Sequence, residues 1–172
     1  NEVNKNSLIP CKKIIGQSNN RENPYLPKSI INISAMSFGS LGENAITALN
    51  KGALKSNCYH NTGEGGLSPY HLEGGDVVWN IGTGYFSCRN TDGTFNVDQF
   101  EKRATLEQVK MIEIKFSQGA KPGHGGILPK EKVTDEIAAI RLVDKGHDII
   151  SPPSHSAFKT PLQLMEFVQL LR

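Results

Sequence analysis

The stretch MIEIKFSQGAKPGHGGILP, residues 111–129, changes character after its first six residues. The segment MIEIKF alternates as a β-strand does, with Glu113 and Lys115 on one face and the isoleucines on the other. The next thirteen residues contain four glycines and two prolines, so they can neither extend the strand nor start a helix. A connection usually needs only about two to six residues. We therefore expect this long loop, placed directly after a strand, to hold a ligand.

Strand, loop and helix alternate about four times along the chain. This alternation predicts parallel strands joined by crossover helices, and hence an α/β fold. An open sheet and a (β/α)₈ barrel both fit the pattern; a whole barrel needs about 250 residues, so four units would be about half of one. The predicted strands cover residues 29–36, 58–60, 77–90, 111–116 and 147–151, and the first of them, a compact apolar run, is expected to be buried. The predicted helices cover residues 41–56, 98–108, 132–145 and 161–171.

The composition is that of a globular protein with little net charge. The chain has 172 residues, of which 37% are hydrophobic, and a net charge of +2, which is typical of a globular protein and too small to indicate binding to nucleic acid. Cys11, Cys58 and Cys88 lie far apart without metal-type spacing, which predicts reduced thiols. We expect a cytoplasmic location, and the sequence leaves open a membrane anchor before Asn1.

Two regions are expected. Residues 1–29 are polar and contain three prolines, which predicts an irregular lead-in with one short strand at residues 12–15. Residues 30–172 hold the repeating strand, loop and helix pattern and are predicted to form one domain.

Glycine-rich and serine-rich loops follow the predicted strands. In α/β folds ligands bind at the carboxyl ends of the strands, so these loops are expected to share one rim that binds an anion or a cofactor. Glycines there would let backbone N–H groups approach a planar ring, although they also serve ordinary turns. Neither a P-loop nor a dinucleotide fingerprint is present. The loops are AMSFGS (35–40), NTGEGG (61–66), SQGAKPGHGG (117–126) and SPPSHS (151–156).

Four side chains in this pattern have a functional and a structural interpretation. Lys115 either points into the barrel or is a solvated lysine on an edge strand. Glu64 is a site carboxylate or an exposed turn residue, and Arg141 is a site cation or a surface charge. His155 is a site residue or a cap for its loop. The histidine spacing does not match a metal site.

The loops taken together resemble a known family. ISAMSFGS, NTGEGG, IKFSQGAKPGHGG, and ISPP followed by His155 occur in this order in the FMN-binding domain of glutamate synthases, and the resemblance runs from about Ile30 to Arg172. It is closest to the shorter glutamate-synthase-related proteins. It implies that the chain is the first half of a (β/α)₈ barrel with FMN at its mouth. The implied reaction reduces 2-iminoglutarate, formed from 2-oxoglutarate and ammonia, to glutamate.

The resemblance also implies roles for individual residues. Those expected to contact the flavin are Met36, Ser37, Gly63, Gly65, Lys115 and Gln118. Those expected to contact the substrate, a small acid like 2-oxoglutarate, are Glu64, Lys115 and Arg141, with Glu64 and Lys115 catalytic. An electron-donor protein or an NAD(P)H-oxidising subunit would be a partner. An iron–sulfur cluster fits the full-length protein, but its cysteines are not in this chain, which alone is expected to be inactive.

Two positions depart from the family pattern. Glutamate synthases read roughly GAKPGEGGQLP in the long loop, whereas this chain has His124 in place of the glutamate and Ile127 in place of the glutamine. Because isoleucine offers no hydrogen bond to an acid, two alternatives remain: a related flavoenzyme acting on a different substrate, or a non-catalytic module that binds a flavin or a small acid.

Overall fold

A parallel sheet forms the centre of the structure. In the computed structural model, which describes residues 13–121 and 123–172, the strands lie side by side in chain order. Tyr59 pairs with Asp76, and Val78 pairs with Met111. These parallel pairings confirm an α/β fold. The strands are β1 (Tyr59–Asn61), β2 (Asp76–Ile81) and β3 (Val109–Ile114).

The segment before β1 is an edge rather than the predicted buried strand. Ile33 forms one parallel bridge to His60, and Met36 donates its N–H to the carbonyl of Asn61. Ile31 is 76% exposed. The prediction of burial was wrong because this segment pairs with β1 along a single bridge and its isoleucines lie at the open edge of the sheet. Its direction still adds a fourth parallel segment in chain order.

Helices make two of the crossovers in the sheet. α1 (Glu43–Ser56) leads into β1, and α2 (Val97–Ala104) joins β2 to β3. Between β1 and β2, however, the chain forms a loop whose regular part is the 3₁₀ turn Pro69–His71. The sequence predicts no helix between residues 60 and 77, so the structure agrees with the prediction at this step.

Between β3 and the last helix, residues 126–151 form a long excursion away from the parallel sheet. β4 (Ile127–Leu128) pairs antiparallel with β5 (Ile149–Ile150), and α3 (Asp135–Arg141) lies between them. The predicted strand at residues 147–151 thus exists but belongs to this hairpin and not to the parallel sheet. α3 is shorter than predicted because Leu142 adopts a left-handed conformation, with φ of 58°, and ends it.

The last helix begins where the sequence predicts. α4 spans Pro161–Leu171, with Pro161 in its first turn. The Thr160 hydroxyl accepts a hydrogen bond from the N–H of Gln163, whose side chain accepts one from the Thr160 N–H in return. This reciprocal cap satisfies two backbone donors that a helix start leaves free.

Two apolar clusters hold these elements together. On the helix-facing side of the sheet, Trp79 stacks on Phe100 of α2 at a ring-centroid distance of 5.6 Å, and Phe167 of α4 joins the same cluster. A second cluster fixes the excursion to the loops beside the sheet, since Phe38 and Phe86 pack with residues of β4, α3 and β5. Its remaining buried members are Ile46, Leu128, Val133, Ile137, Ala138 and Ile149.

The described part of the lead-in, residues 13–29, contacts the amino end of β2. Ile15 forms a single bridge with Tyr25, and the Tyr25 hydroxyl donates to Asp76 Oδ2 at 2.9 Å. The predicted short strand falls partly on Lys12, which lies outside the described residues. Within the described ranges, no helix is long and apolar enough to cross a membrane.

Candidate active site at the carboxyl ends of the strands

A cavity of about 280 Å³ lies at the carboxyl ends of the parallel segments. Its walls come from the loops that follow the Ile33 segment and the three strands, from Asn80 of β2, and from the excursion. Seven of the eight residues with predicted site roles line it; the roles themselves stay predictions. The seven are Ser37, Gly63, Glu64, Gly65, Lys115, Gln118 and Arg141.

The strand geometry explains why Lys115 reaches the cavity. Ile112 and Ile114 pack against the helix-facing cluster, so alternation turns Glu113 and Lys115 to the opposite face. The Lys115 N–H donates to the carbonyl of Ile81 at 2.9 Å, which extends the pairing with β2 by one residue. Lys115 therefore leaves the sheet at its carboxyl end, as the sequence predicts.

Glu64, Lys115 and Gln118 form a closed network of charges and hydrogen bonds. Lys115 Nζ pairs with Glu64 Oε1 and donates to Gln118 Oε1 at 3.2 Å. Gln118 Nε2 donates to the second carboxylate oxygen, Glu64 Oε2, at 2.5 Å. The side chains of Lys115 and Glu64 are 38% and 23% exposed, so both remain accessible from the cavity. Glu64 is therefore not the exposed turn residue of the structural interpretation.

The glycines beside Glu64 allow two loops to touch. A Cβ on Gly63, which has φ of 64°, would lie 2.9 Å from the Ser37 nitrogen. A Cβ on Gly65 would lie 2.7 Å from the Phe38 carbonyl oxygen. Since real Cβ atoms do not approach so closely, side chains at these positions would separate the loop after β1 from the loop before α1.

Arg141 is buried, at 7% exposed, which excludes the surface-charge interpretation. Its Nη2 donates to the Phe38 carbonyl at 3.2 Å, and its guanidinium carbon lies 5.0 Å from the Phe86 ring centroid. Burial lowers the pKa of Arg141, while the charge of Glu64 acts in the opposite direction. Its Nε has no partner among the described residues. The site thus contains a buried cation with an unused donor.

Met36 is the one predicted residue whose side chain is placed elsewhere. It packs against the cluster of Phe38 and Phe86, and it is not among the residues that line the cavity. Its backbone contributes instead, because the Met36 carbonyl accepts a hydrogen bond from His71 Nε2 at 3.0 Å.

Comparison with known proteins identifies the family. A family profile described as "Conserved region in glutamate synthase" matches residues 3–172. The chain belongs to the glutamate synthase family.

Individual glutamate synthase relatives agree with the profile. The chain is 44% identical over 153 residues to the glutamate synthase large subunit-like protein YerD of Bacillus subtilis, covering 88% of this chain and 29% of that protein. It is 36% identical over 143 residues to the archaeal glutamate synthase [NADPH] of Methanocaldococcus jannaschii, covering 83% and 26%. It is 37% identical over 123 residues to the glutamate synthase [NADPH] large chain of Azospirillum brasilense, covering 70% and 8%. The chain therefore spans less than a third of these glutamate synthase-family proteins.

Sequence reasoning missed Asn80 as a cavity residue of this glutamate synthase-family chain. Asn80 is buried in β2, and its Nδ2 donates to Glu113 on the neighbouring strand. Its Oδ1 has no partner among the described residues. An asparagine inside the apolar run VVWNI was the available signal, because a polar residue in a buried strand needs partners. Other unpredicted lining residues include Ser40, Phe86, Gly126 and Ser151.

His155 contacts the backbone of Lys115 on the side away from the cavity lining. Its Nε2 donates to the Lys115 carbonyl at 2.8 Å, its Nδ1 lies 3.0 Å from the Tyr85 hydroxyl, and its ring stacks on Phe158. Burial lowers the pKa of His155, which favours a neutral imidazole with its proton on Nε2. The structure therefore supports the interpretation of His155 as a residue that holds its loop.

Metal binding has no visible basis in the part of the chain that the structure describes. No group of three or more His, Cys, Asp and Glu side chains there could hold an ion. Cys58 and Cys88 are buried free thiols, and Cys11 lies outside the described residues.

Proposed function

We propose that the full-length protein is an FMN-dependent oxidoreductase of the glutamate synthase type, which reduces 2-iminoglutarate to glutamate. The observation that carries this proposal is that Ser37, Glu64, Lys115, Gln118 and Arg141 line one cavity at the carboxyl ends of parallel strands. This is where α/β folds place cofactors and substrates. The half-barrel architecture of residues 30–172 is part of the same proposal.

The residues present fit a flavin. The donor Arg141 Nε and the acceptor Asn80 Oδ1 are buried without partners among the described residues. Buried polar atoms without partners are uncommon, and a ligand with both donors and acceptors at its edge would satisfy them. Ser37, Gly63, Gly65, Lys115 and Gln118 would hold the ring, with the glycines keeping the wall free of side chains. When bound, a reduced flavin supplies a hydride, which no protein side chain can.

The two cations suit a dicarboxylate. Lys115 and Arg141 would each bind a carboxylate of 2-oxoglutarate through charge-assisted hydrogen bonds, worth roughly 1.5–3 kcal/mol each. Lys115 would exchange Glu64 for the substrate, and the freed Glu64 carboxylate would accept a hydrogen bond from the imine nitrogen. Glu64 would in this way keep the proton on the imine nitrogen, next to the carbon that receives the hydride.

The reaction balances with one outside electron source. Condensation of 2-oxoglutarate with ammonia releases water, and reduction of the imine consumes a hydride and a proton. An electron-donor protein or an NAD(P)H-oxidising subunit would return the two electrons, with an iron–sulfur cluster elsewhere in the full-length protein as one route.

The experiment is an anaerobic half-reaction with purified full-length protein. We expect a flavin absorption spectrum and, after reduction, reoxidation on adding 2-oxoglutarate and ammonium together but not either alone. A full-length protein without bound or rebinding FMN would contradict the cofactor assignment. Bound flavin that no acid reoxidises would instead favour the non-catalytic module.

A related flavoenzyme acting on another acid is the second candidate, and Ile127 favours it. Ile127 lines the cavity and is 64% exposed. An unpaired polar group of the substrate beside it would cost about 1–3 kcal/mol. A panel of 2-oxo acids with polar and apolar side chains in the same half-reaction distinguishes the candidates, since faster reoxidation by an apolar acid would replace 2-oxoglutarate as the substrate.

A further inference from the structure

Two buried histidines lie next to each other but differ in their bonding. His60 is in β1 and His71 is in the turn that follows, and their ring centroids are 5.2 Å apart. Both side chains are fully buried. Neither ring nitrogen of His60 has a partner among the described residues, whereas both nitrogens of His71 do.

The partners of His71 define its tautomer. The Ser68 N–H points at His71 Nδ1 at 3.3 Å, and the Ser68 hydroxyl lies 2.8 Å from the same nitrogen. A backbone N–H can only donate, so Nδ1 is an acceptor and the proton resides on Nε2. That proton is donated to the Met36 carbonyl at 3.0 Å. His71 therefore joins the loop after β1 to the chain just before Ser37.

The Met36 carbonyl belongs to the peptide bond that leads into Ser37, a residue that lines the cavity. The Met36 N–H is bound to the Asn61 carbonyl at 3.1 Å, so this residue is held from β1 on one side and from His71 on the other. Gly63, in the loop after β1, packs directly against this peptide, because a Cβ there would lie 3.3 Å from the Met36 carbonyl carbon and 2.9 Å from the Ser37 nitrogen. A small rotation of this peptide would therefore change the cavity.

We infer that His71 is a positioning residue: its Nε2–H fixes the Met36–Ser37 peptide and thereby the Ser37 wall of the site. Its effect on FMN affinity rests on the proposed function, whereas its effect on the loop does not. Hydrogen bonds within the loop, such as that from the Leu41 N–H to the Ser37 carbonyl, move with the loop and cannot replace an anchor from outside.

Three variants of the full-length protein test this inference. His71→Asn is too short to reach the Met36 carbonyl, whereas the amide of His71→Gln can place a donor where Nε2 lies. His60→Asn is the matched control, since it also removes a buried imidazole, one that has no hydrogen bond to the cavity wall. The measurements are hydrogen–deuterium exchange of the peptide covering residues 36–41, and the FMN dissociation constant.

In His71→Asn we expect exchange in residues 36–41 to rise about fivefold, and the FMN dissociation constant to rise by a similar factor, as for one lost hydrogen bond. His71→Gln should recover most of both effects. His60→Asn should lower the melting temperature without either effect. If His71→Asn does not fold, His71→Leu, which is closer in volume, takes its place.

Equal exchange of residues 36–41 in His71→Asn and His60→Asn would overturn the inference. Faster exchange with an unchanged FMN dissociation constant would overturn the part that concerns the cofactor. If the wild-type protein binds no FMN but His71→Asn still accelerates exchange in this segment, the proposed function fails while the positioning role stands.

Discussion

The two faces of the parallel sheet use the same strands for different purposes. Towards the helices, Trp79 of β2 packs with Phe100 and Phe167 in a closed apolar cluster. On the other face, Asn80 bonds to Glu113, and Lys115 continues that face into the cavity. The helix-facing side therefore contributes apolar packing, and the other side contributes polar residues to the cavity. Substitutions on the two faces should separate activity from folding.

Lys115→Ala should have the largest effect on activity. The substitution removes the cation that pairs with Glu64 and would bind the substrate, so we expect 2-oxoglutarate-dependent flavin reoxidation to fall by at least about a thousandfold. Stability should change by less than about 1 kcal/mol, because the ion pair is partly exposed. Stopped-flow absorbance and thermal melting of the full-length protein measure the two quantities.

Lys110→Ala is the control for this prediction. Lys110 is on the same strand as Lys115, but it lies near the amino end and does not line the candidate site. Its reoxidation rate should match the wild type. If the Lys115→Ala protein is reoxidised at the wild-type rate, Lys115 has no role in substrate binding or catalysis.

Trp79→Ala should have the largest effect on stability. Trp79 is fully buried, and truncating a buried tryptophan typically costs about 3–5 kcal/mol through lost burial and the cavity left behind. We expect a marked fall in melting temperature. At temperatures where the variant remains folded, the reoxidation rate should be close to that of the wild type. Lost activity in a fully folded Trp79→Ala protein would show that the two faces are coupled.

Acid should weaken the fold through His60. Burial, with a smaller contribution from the nearby His71, lowers the pKa of His60 from 6.5 to about 4. Between pH 6.5 and pH 4, His60 is protonated in the unfolded chain but neutral in the folded one. The free energy of unfolding is therefore highest above pH 6.5 and falls as the pH is lowered towards 4. The loss is on the order of 3 kcal/mol. Melting temperatures from pH 7.5 to 4 measure it, and His60→Asn should flatten the curve; an unchanged slope would contradict the assignment.

The sequence predicted best where local rules decide the structure. Alternation in IEIKF placed Lys115 on the face opposite the isoleucines, which is the face that the structure turns to the cavity, and the predicted start of the last helix at residue 161 is the start of α4. It failed where partners distant in the chain decide. The pairing of β4 with β5 joins two dipeptides more than twenty residues apart. A strand of two residues is too short to show the alternating pattern from which a strand is predicted.

Within the candidate site, the contacts of Met36 and Arg141 were the hardest to predict. Met36 contributes a backbone carbonyl, and no property of its side chain indicates that. Arg141 lies at the last turn of a short helix, and its burial results from packing against the Phe86 ring in another loop. Such contacts depend on tertiary packing and are absent from any local pattern.

Gly65→Ala paired with Gly52→Ala gives the finest test of the difference between site and scaffold. At Gly65 the new methyl group would lie 2.7 Å from the Phe38 carbonyl oxygen and 3.0 Å from the Ser37 side chain. Because the backbone of Phe38 occupies this space, the loop after β1 and the loop before α1 must move apart, at a cost of about 1–3 kcal/mol. At Gly52, inside α1, a Cβ would meet no atom within 4 Å beyond the backbone of its own helix, so the same methyl group should stabilise the helix by up to about 1 kcal/mol.

The two substitutions should therefore differ in sign. We expect Gly65→Ala to lower the melting temperature and to raise the FMN dissociation constant about tenfold, as the Ser37 wall moves outward. Gly52→Ala should raise the melting temperature and leave FMN binding unchanged. Fluorescence titration of FMN with both full-length variants makes the comparison. If Gly65→Ala binds FMN as tightly as the wild type, the contact between these loops shapes the fold alone and the cofactor lies elsewhere in the molecule.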